Sequence, residues 1–294
     1  MKQLIFDPSR SGPKMKIVCF VSGSGTNYAQ IARKNPNHDY LVFTNRPECG
    51  GASLARQNKH ELVELSHVPY LREVRRKYGP GKVPRNCTER ENYDRDVSRL
   101  IEVHLGQQPD LICLAGYDQL TTDWLVDRYH LKILNVHPGD TTRGYAGLGW
   151  IASAKAILAG DENVRSTLFL VDKSMDEGPV LVQSRPLSIT KALTEAEAAG
   201  TAGLLAGQVK IKRFMGMTFD KFMATAGDDE RAIMKTTGEN IQGALKVSGD
   251  WEIFPFGVQL IAGGGVAVEG RTVYVHGKAM PKFGFRMENS RTPT

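Results

Sequence analysis

The run KIVCFV from Lys16 to Val21, followed at once by SGSGTN and then by a stretch of helical composition, constrains this chain more than any other segment. An apolar run of strand length without alternation belongs to a strand covered on both faces. With a glycine-rich turn and a helix behind it, the run forms a strand–turn–helix unit, the building block of parallel α/β sheets. The rhythm returns in DYLVFT from Asp39 to Thr44, HELVEL from His60 to Leu65, DLICLAG after Pro109, and LKILNVH from Leu131 to His137. STLFLV and PVLVQSRPL suit a sheet edge or hairpin better than further parallel pairing. The expected fold class is therefore α/β, an open and mostly parallel sheet with a Rossmann-like N-terminal half.

Two segments flank that rhythm. Residues 1–14, with Pro8 and Pro13, read as a peripheral arm for which internal pairing is possible but not indicated. Beyond Ser188 the composition turns Ala- and Gly-rich, then Met-rich and basic. Phe214, Met217, Phe219, Phe222 and Met223 read there as an internal packing face. WEIFPFGVQLIAGG and the VAVEG…TVYVHG pair close the chain as a helix and a hairpin. The expected organisation is an arm (1–14), a core (15–188), a helical insertion (189–239) and a C-terminal helix and hairpin (240–294).

At 41% hydrophobic and 24% charged residues the chain can bury a core, which excludes general disorder. Nothing near the N-terminus has the apolar centre of a signal peptide, and no run approaches the roughly 18 apolar residues of a membrane span. Cys19, Cys49, Cys87 and Cys113 lack CxxC spacing and read as reduced thiols, so a cytoplasmic location is expected. The net charge of +6 is spread along the chain, which suits small anions better than a nucleic-acid partner. Arg72, Arg75, Arg76 and Lys77 form either a solvated helix face or a rim that attracts an anion. In TEREN, Thr88 is a candidate helix cap three residues ahead of Glu91.

Three places can carry chemistry. The loop Gly23, Ser24, Gly25, Thr26 and Asn27 offers backbone N–H groups and a helix N-terminus, a combination that suits phosphate, although it also reads as a structural turn. It is neither GxGxxG nor a Walker A loop. Asn135 and His137, two apart at the end of an apolar strand, project to one side, toward a structural network or a ligand. Asp176-Glu177-Gly178-Pro179 is either an ordinary turn or a means of bringing Asp176 to His137, where a carboxylate would orient an imidazole. No Cys/His/Asp grouping has metal-ligand spacing, so no metal is expected.

Taken in order, SGSGTN, RENYDRDV (Arg90 to Val97), LICLAGYDQL (Leu111 to Leu120), ILNVHPG (Ile133 to Gly139) and MDEGPVLVQ (Met175 to Gln183) resemble the folate-dependent formyltransferase family, most of all its members that formylate phosphoribosylglycinamide. The resemblance implies transfer of a formyl group from 10-formyltetrahydrofolate, as co-substrate, to the amine of phosphoribosylglycinamide or a related small phosphorylated amine. By the same resemblance the catalytic set is Asn135, His137 and Asp176. Gly23 to Asn27 and Arg90 would hold the acceptor phosphate; Asp118, Gln119, Leu120, Val171 and Asp172 would line the folate pocket.

The chain departs from the family pattern at Gly139-Asp140-Thr141-Thr142-Arg143, at Tyr117-Asp118-Gln119 where a basic residue is usual, at Gly147-Leu148-Gly149-Trp150, and in the addition near Ile189 to Glu239. These departures keep open a different phosphorylated amine, hydrolysis of formyltetrahydrofolate, or a catalytically weak folate or nucleotide sensor. For the addition, one reading is a cover over the acceptor cleft, with Lys210, Lys212, Arg213 and Lys221 near water; the other is a peripheral helical layer packed on itself.

Overall fold

The computed structural model describes residues 1–79, 81–147 and 149–288. In chain order its elements begin with β1 (Gln3–Leu4), α1 (Pro8–Ser11), β2 (Lys16–Val21), α2 (Thr26–Lys34), β3 (Asp39–Thr44), α3 (Gly50–Gln57), β4 (Glu61–Glu64) and α4 (Val68–Tyr78). They continue with α5 (Thr88–Leu105), β5 (Leu111–Leu114), α6 (Asp123–Arg128), β6 (Ile133–His137), α7 (Ile151–Leu158), β7 (Asn163–Val164), β8 (Thr167–Leu170) and β9 (Val180–Gln183). The last third holds β10 (Leu187–Ser188), α8 (Ile189–Ala198), α9 (Leu204–Ile211), α10 (Phe219–Thr225), α11 (Asp228–Leu245), α12 (Trp251–Ala262), β11 (Val266–Glu269), β12 (Thr272–Val275), β13 (Lys278–Ala279) and β14 (Phe285–Arg286). The chain forms two compact units. Unit 1 comprises Met1–Asn135, Phe169–Pro179 and Phe254–Met280; unit 2 comprises Val136–Leu168, Val180–Ile253 and the chain from Pro281 on.

In unit 1, β4, β3, β2, β5 and the first residues of β6 pair in that order, all parallel. Both faces are covered at the centre of the sheet, which is why β2, β3 and β5 are apolar along most of their length: Val18 and Phe20 pack with Leu41, Phe43 and Val63 against Tyr93, Val97 and Ile101 of α5, while Ile17, Cys19 and Val21 are equally buried. Cys19 and Cys113 face each other in register and are buried, whereas Cys49 and Cys87 are half-buried and precede helices. Thr88 is not the cap of α5. Cys87 holds that position, without a side-chain hydrogen bond, and Thr88 is the first helical residue. The arm is also more than peripheral: β1 pairs antiparallel with β11, and Ile5 and Phe6 are buried.

In unit 2 the helices α7 to α11 enclose a second apolar cluster that includes Leu193, Leu204, Ile211, Phe214, Phe222, Met234 and Ile241, with Met217, Phe219 and Met223 packed on it. Phe214 and Phe222 meet edge to face at 5.1 Å. This is the internal packing face expected of those residues, and Lys210, Lys212, Arg213 and Lys221 are exposed. Small residues let α11 approach its neighbours: a Cβ on Gly238 would lie 3.0 Å from Trp150, and one on Gly207 of α9 would lie 2.8 Å from Ile233. α11 is continuous from Asp228 to Leu245, across the expected boundary at 239/240. At the edge β9 pairs parallel with β14. The hairpin reading of β8 and β9 holds: Leu170 N donates to Pro179 O in unit 1 and Ser184 N to Ser166 O in unit 2, an antiparallel pattern.

The turn after β2 is dictated by one close approach. Gly25 has φ 70°, and a Cβ there would meet Gly51 Cα, at the start of α3, at 2.3 Å. Gly23 has open space around it. Gly25→Ala is therefore expected to lower stability by more than about 2 kcal/mol, while Gly23→Ala changes it by less than about 1 kcal/mol; urea midpoints of the two variants check the contrast.

Candidate active site

The register of unit 1 brings three loops together. Beyond β2, Ser22 donates through Oγ to Asn45 Oδ1 (2.6 Å) and accepts from the Asp118 backbone N–H (3.0 Å). Asn45 Nδ2 donates to Asp118 Oδ1 at 2.8 Å, and Arg46 forms an ion pair with the same carboxylate. Burial alone would raise the Asp118 pKa, but hydrogen bonds from Gln119, Asn45 and Ser22, with the Arg46 charge, hold it below the ordinary carboxylate value. Gly23 to Asn27 are thus joined through Ser22 to the loop of Asp118 and Gln119. Arg46, which forms the ion pair with Asp118, comes from the turn after β3. Asn27 is buried, and its Oδ1 has no protein partner among the described residues.

RENYDRDV forms the first turns of α5. Arg90 is half-buried, donates through Nε to Pro84 O at 3.0 Å, and burial lowers its pKa. Asp94 is buried and accepts from Thr122 N (2.8 Å) and Oγ1 (2.7 Å), which secures the N-cap of α6. Burial pushes its carboxyl up to about 6, partly opposed by the Thr122 hydrogen bonds and by Arg90 and Arg85. Asp94 thus gives the motif a structural duty that sequence reasoning missed.

Asn135 lies on β6 in register with Leu114 of β5 and is half-buried. Val171 N donates to Ile133 O at 2.8 Å, so in unit 1 the loop that carries Asp172 and Asp176 starts beside that strand. Asp176 sits at φ 54°, a left-handed conformation that Asp tolerates better than most residues. Two arginines hold this loop. Arg85 donates to the carbonyls of Thr121 (2.8 Å), Asp172 (3.3 Å) and Lys173. Arg271, from the turn between β11 and β12, pairs with the Asp172 carboxylate at 2.5 Å and donates to Glu177 O. Asp172 also accepts from Ser174 N at 2.8 Å. Gly178 is forced, since a Cβ there would lie 1.8 Å from Leu170 O.

His137 ends β6 within unit 2. It is buried, and its Nε2 lies 3.0 Å from Tyr145 O. A carbonyl only accepts, so Nε2 carries the proton, and in the neutral ring Nδ1 is the basic nitrogen. The loop behind it is tied down by Thr167 Oγ1 donating to Gly139 O (2.8 Å) and Gln183 Nε2 donating to Asp140 Oδ1 (2.7 Å).

Arg46, Arg85 and Arg271 carry no sequence signature that separates them from other surface arginines; their partners emerge only when loops distant in sequence meet. A broad groove of about 1170 Å³ along α5, lined by Arg95, Glu102, Trp124 and Arg128 among others, contains none of the predicted site residues. No cluster of metal-ligating side chains occurs among the described residues. Among the same residues no helix is long and apolar enough to cross a membrane.

Residues 15–200 of this α/β chain match the family model described as formyl transferase. The chain belongs to that family of folate-dependent formyltransferases. Among curated relatives it is 31% identical over 178 residues to the chloroplastic phosphoribosylglycinamide formyltransferase of Arabidopsis thaliana, covering 58% of this chain and 54% of that one. It is 27% identical over 179 residues to the phosphoribosylglycinamide formyltransferase of Escherichia coli, covering 58% and 72% respectively. The match therefore spans about half of the plant protein. In fold the chain is similar to the phosphoribosylglycinamide formyltransferase of Coxiella burnetii, with TM-score 0.59, 19% identity, and coverage of 93% of this chain and 99% of that one. It is also similar to a formyltetrahydrofolate deformylase of Pseudomonas syringae, with TM-score 0.52, 15% identity, and coverage of 89% and 66%.

The raised Asp94 pKa fixes a sign. Between about pH 4 and 6 the folded chain keeps a proton that the unfolded chain has lost, so stability falls as pH rises through that window. Asp94→Asn should remove that slope, worth on the order of 3 kcal/mol, in urea titrations across the range; an unchanged slope would place the carboxyl in a solvated setting. Arg271→Ala should speed hydrogen exchange at the amides of residues 174–178 by at least about tenfold. Unaltered exchange there would mean that the loop holds without the arginine.

Proposed function

We propose that this chain transfers the formyl group of 10-formyltetrahydrofolate to the amine of phosphoribosylglycinamide or a closely related small phosphorylated amine. The observation that carries the reading is the family match over residues 15–200 in a chain that keeps Asn135, His137 and Asp176. The names of the plant and bacterial relatives support phosphoribosylglycinamide as the acceptor.

In this reading the neutral amine attacks the formyl carbon, the bond from that carbon to the folate nitrogen breaks, and negative charge builds on the formyl oxygen in between. The Asn135 amide N–H donates to that oxygen, an interaction strongest in the transition state. With Nε2 of His137 held by Tyr145 O, Nδ1 is the position that takes up the amine proton or returns it to the leaving nitrogen. The family resemblance assigns Asp176 to the same catalytic set, in which a carboxylate favours the protonated form of an imidazole. Gly23 to Asn27, at the N-terminus of α2, and Arg90 receive the acceptor phosphate. Asp118, Gln119, Leu120, Val171 and Asp172 face the folate. The Asp118 and Asp172 side chains are already held by Arg46 and Arg271, which favours recognition of folate by backbone groups of these segments. The free thiols support a reducing compartment, and we place the reaction in the cytoplasm.

Mass spectrometry of a reaction with 10-formyltetrahydrofolate and phosphoribosylglycinamide should show the formylated amine together with tetrahydrofolate. Formate without formylated amine would point instead to hydrolysis, the reaction named for the Pseudomonas fold neighbour, and no turnover of folate to a sensor. Asn135→Ala, His137→Ala and Asp176→Asn should each lower kcat by about 10²-fold or more with little change in KM. Folded variants with wild-type turnover would remove these residues from the chemistry.

A further inference from the structure

We propose that unit 2 holds a second binding site, for a small tetrahedral oxyanion such as inorganic phosphate, in the cavity between the loop 138–145 and α7. The cavity measures about 160 Å³, and its polar lining includes Asp140, Arg143, Ser153, Asp161, Arg165 and Arg286. At about 30 Å³ per water molecule it has room for roughly five waters, or for one oxyanion with a little water. It is too small for the remainder of a nucleotide, since drug-sized pockets begin near 300 Å³.

The charges in the lining do not balance, with three guanidiniums against two carboxylates. Arg143 and Asp161 neutralise each other at 2.5 Å. Arg165 and Arg286 are poorly matched. The carboxylate paired with Arg165 is the exposed Glu288, at 3.7 Å, and that paired with Arg286 is Asp140, at 3.9 Å. Both separations exceed the roughly 2.7–2.9 Å of a charge-assisted hydrogen bond. The Asp140 carboxylate is also shared with Gln183 and Thr142. Arg286 donates through Nε to Gln183 Oε1 at 2.9 Å, and Arg165 donates to the Ser184 carbonyl. Each guanidinium is thus anchored by a neutral acceptor, and Arg286 also lies over the Phe283 ring, 3.7 Å from its centroid, but neither has a carboxylate at hydrogen-bond distance. The Arg165 side chain is 17% exposed, and burial together with the Arg286 charge weighs against its protonated form.

The independent observation is Ser153. This residue of α7 is 1% exposed, and its Oγ has no hydrogen-bond partner among the described residues. An orphaned buried hydroxyl costs about 1–3 kcal/mol, and the cavity it lines also holds two half-compensated cations. One occupant answers both deficits if it is an anion that accepts from several directions. A cation would face the guanidiniums, and a neutral apolar molecule would leave both deficits in place. Gly139 and Tyr145 also line the cavity, and Tyr145 O is the acceptor of His137 Nε2–H, so the His137 ring resonances can report occupancy. The site does not depend on the proposed formyl transfer.

The test is isothermal titration of inorganic phosphate, and in a parallel arm glycerol phosphate, into the full chain in a buffer free of other oxyanions. The loop Gly23 to Asn27 is a second candidate locus for phosphate, so Arg90→Gln serves as its control. Expected is saturable binding of phosphate that survives Arg90→Gln, is weakened at least about tenfold in Arg165→Gln, and is weakened about fivefold in Ser153→Ala. Ser153→Ala should not lower the melting temperature of the anion-free protein, because it removes only the orphaned hydroxyl; this keeps the test valid if Arg165→Gln fails to fold. His137 resonances should shift on binding. Glycerol phosphate binding as tightly as phosphate, with the same variant pattern, would identify a phosphoryl group as the occupant; weaker binding would identify the free ion. No saturable binding, binding unchanged in Ser153→Ala and Arg165→Gln, or binding abolished by Arg90→Gln would overturn the proposal.

Discussion

Strand β2 is hydrogen-bonded along both edges, to β3 and to β5, with Val21 level with Thr44 and Phe20 level with Leu114. A parallel strand used on both sides has no freedom at its carboxyl end: its chain must leave upward, beside the exits of its two neighbours. Ser22, Asn45 and Asp118 meet for that reason and for no local one. The buried hydrogen bonds they exchange are a consequence of register, as is the Arg46 charge that settles on Asp118.

The legible part of the molecule was the part governed by short-range rules. Apolar runs covered on both faces announced the parallel strands, and SGSGTN announced the turn whose Gly25 has no room for a side chain. Phe214, Met217 and Phe222 declared a helical interior by their spacing. Asn135 and His137 could be placed on one strand because a strand alternates with period two. What escaped was long-range. Two-residue strands such as Gln3–Leu4 and Phe285–Arg286 carry no periodicity, yet the first pairs with Val268 and Ala267 and the second with Val182 and Gln183. A guanidinium that will grip three carbonyls, as Arg85 does, looks in sequence like one that will sit in water.

The family motifs also proved mixed in purpose. Arg90 and Asp94 stand four residues apart in one motif, but Asp94 secures the start of α6 while Arg90 reaches toward the loop at Pro84. The loop of Asp176 shows the same division. Asp176 and Gly178 have the constrained positions in it, while the residues around them are gripped by Arg271 from the turn between β11 and β12, at Glu177, and by Arg85 from the segment before α5, at Asp172 and Lys173.

The pairing of β1 with β11 has a consequence for how the chain is made. During synthesis Ile5 and Phe6 emerge long before the strand beside them, which begins at Val266. The sheet strands between them in sequence are made before the arm has a neighbour, and by then β2 to β6 can already have paired. Until β11 is made, Ile5 and Phe6 are apolar side chains without the strand that lies beside them, the kind of exposed surface on which chaperones and proteases act.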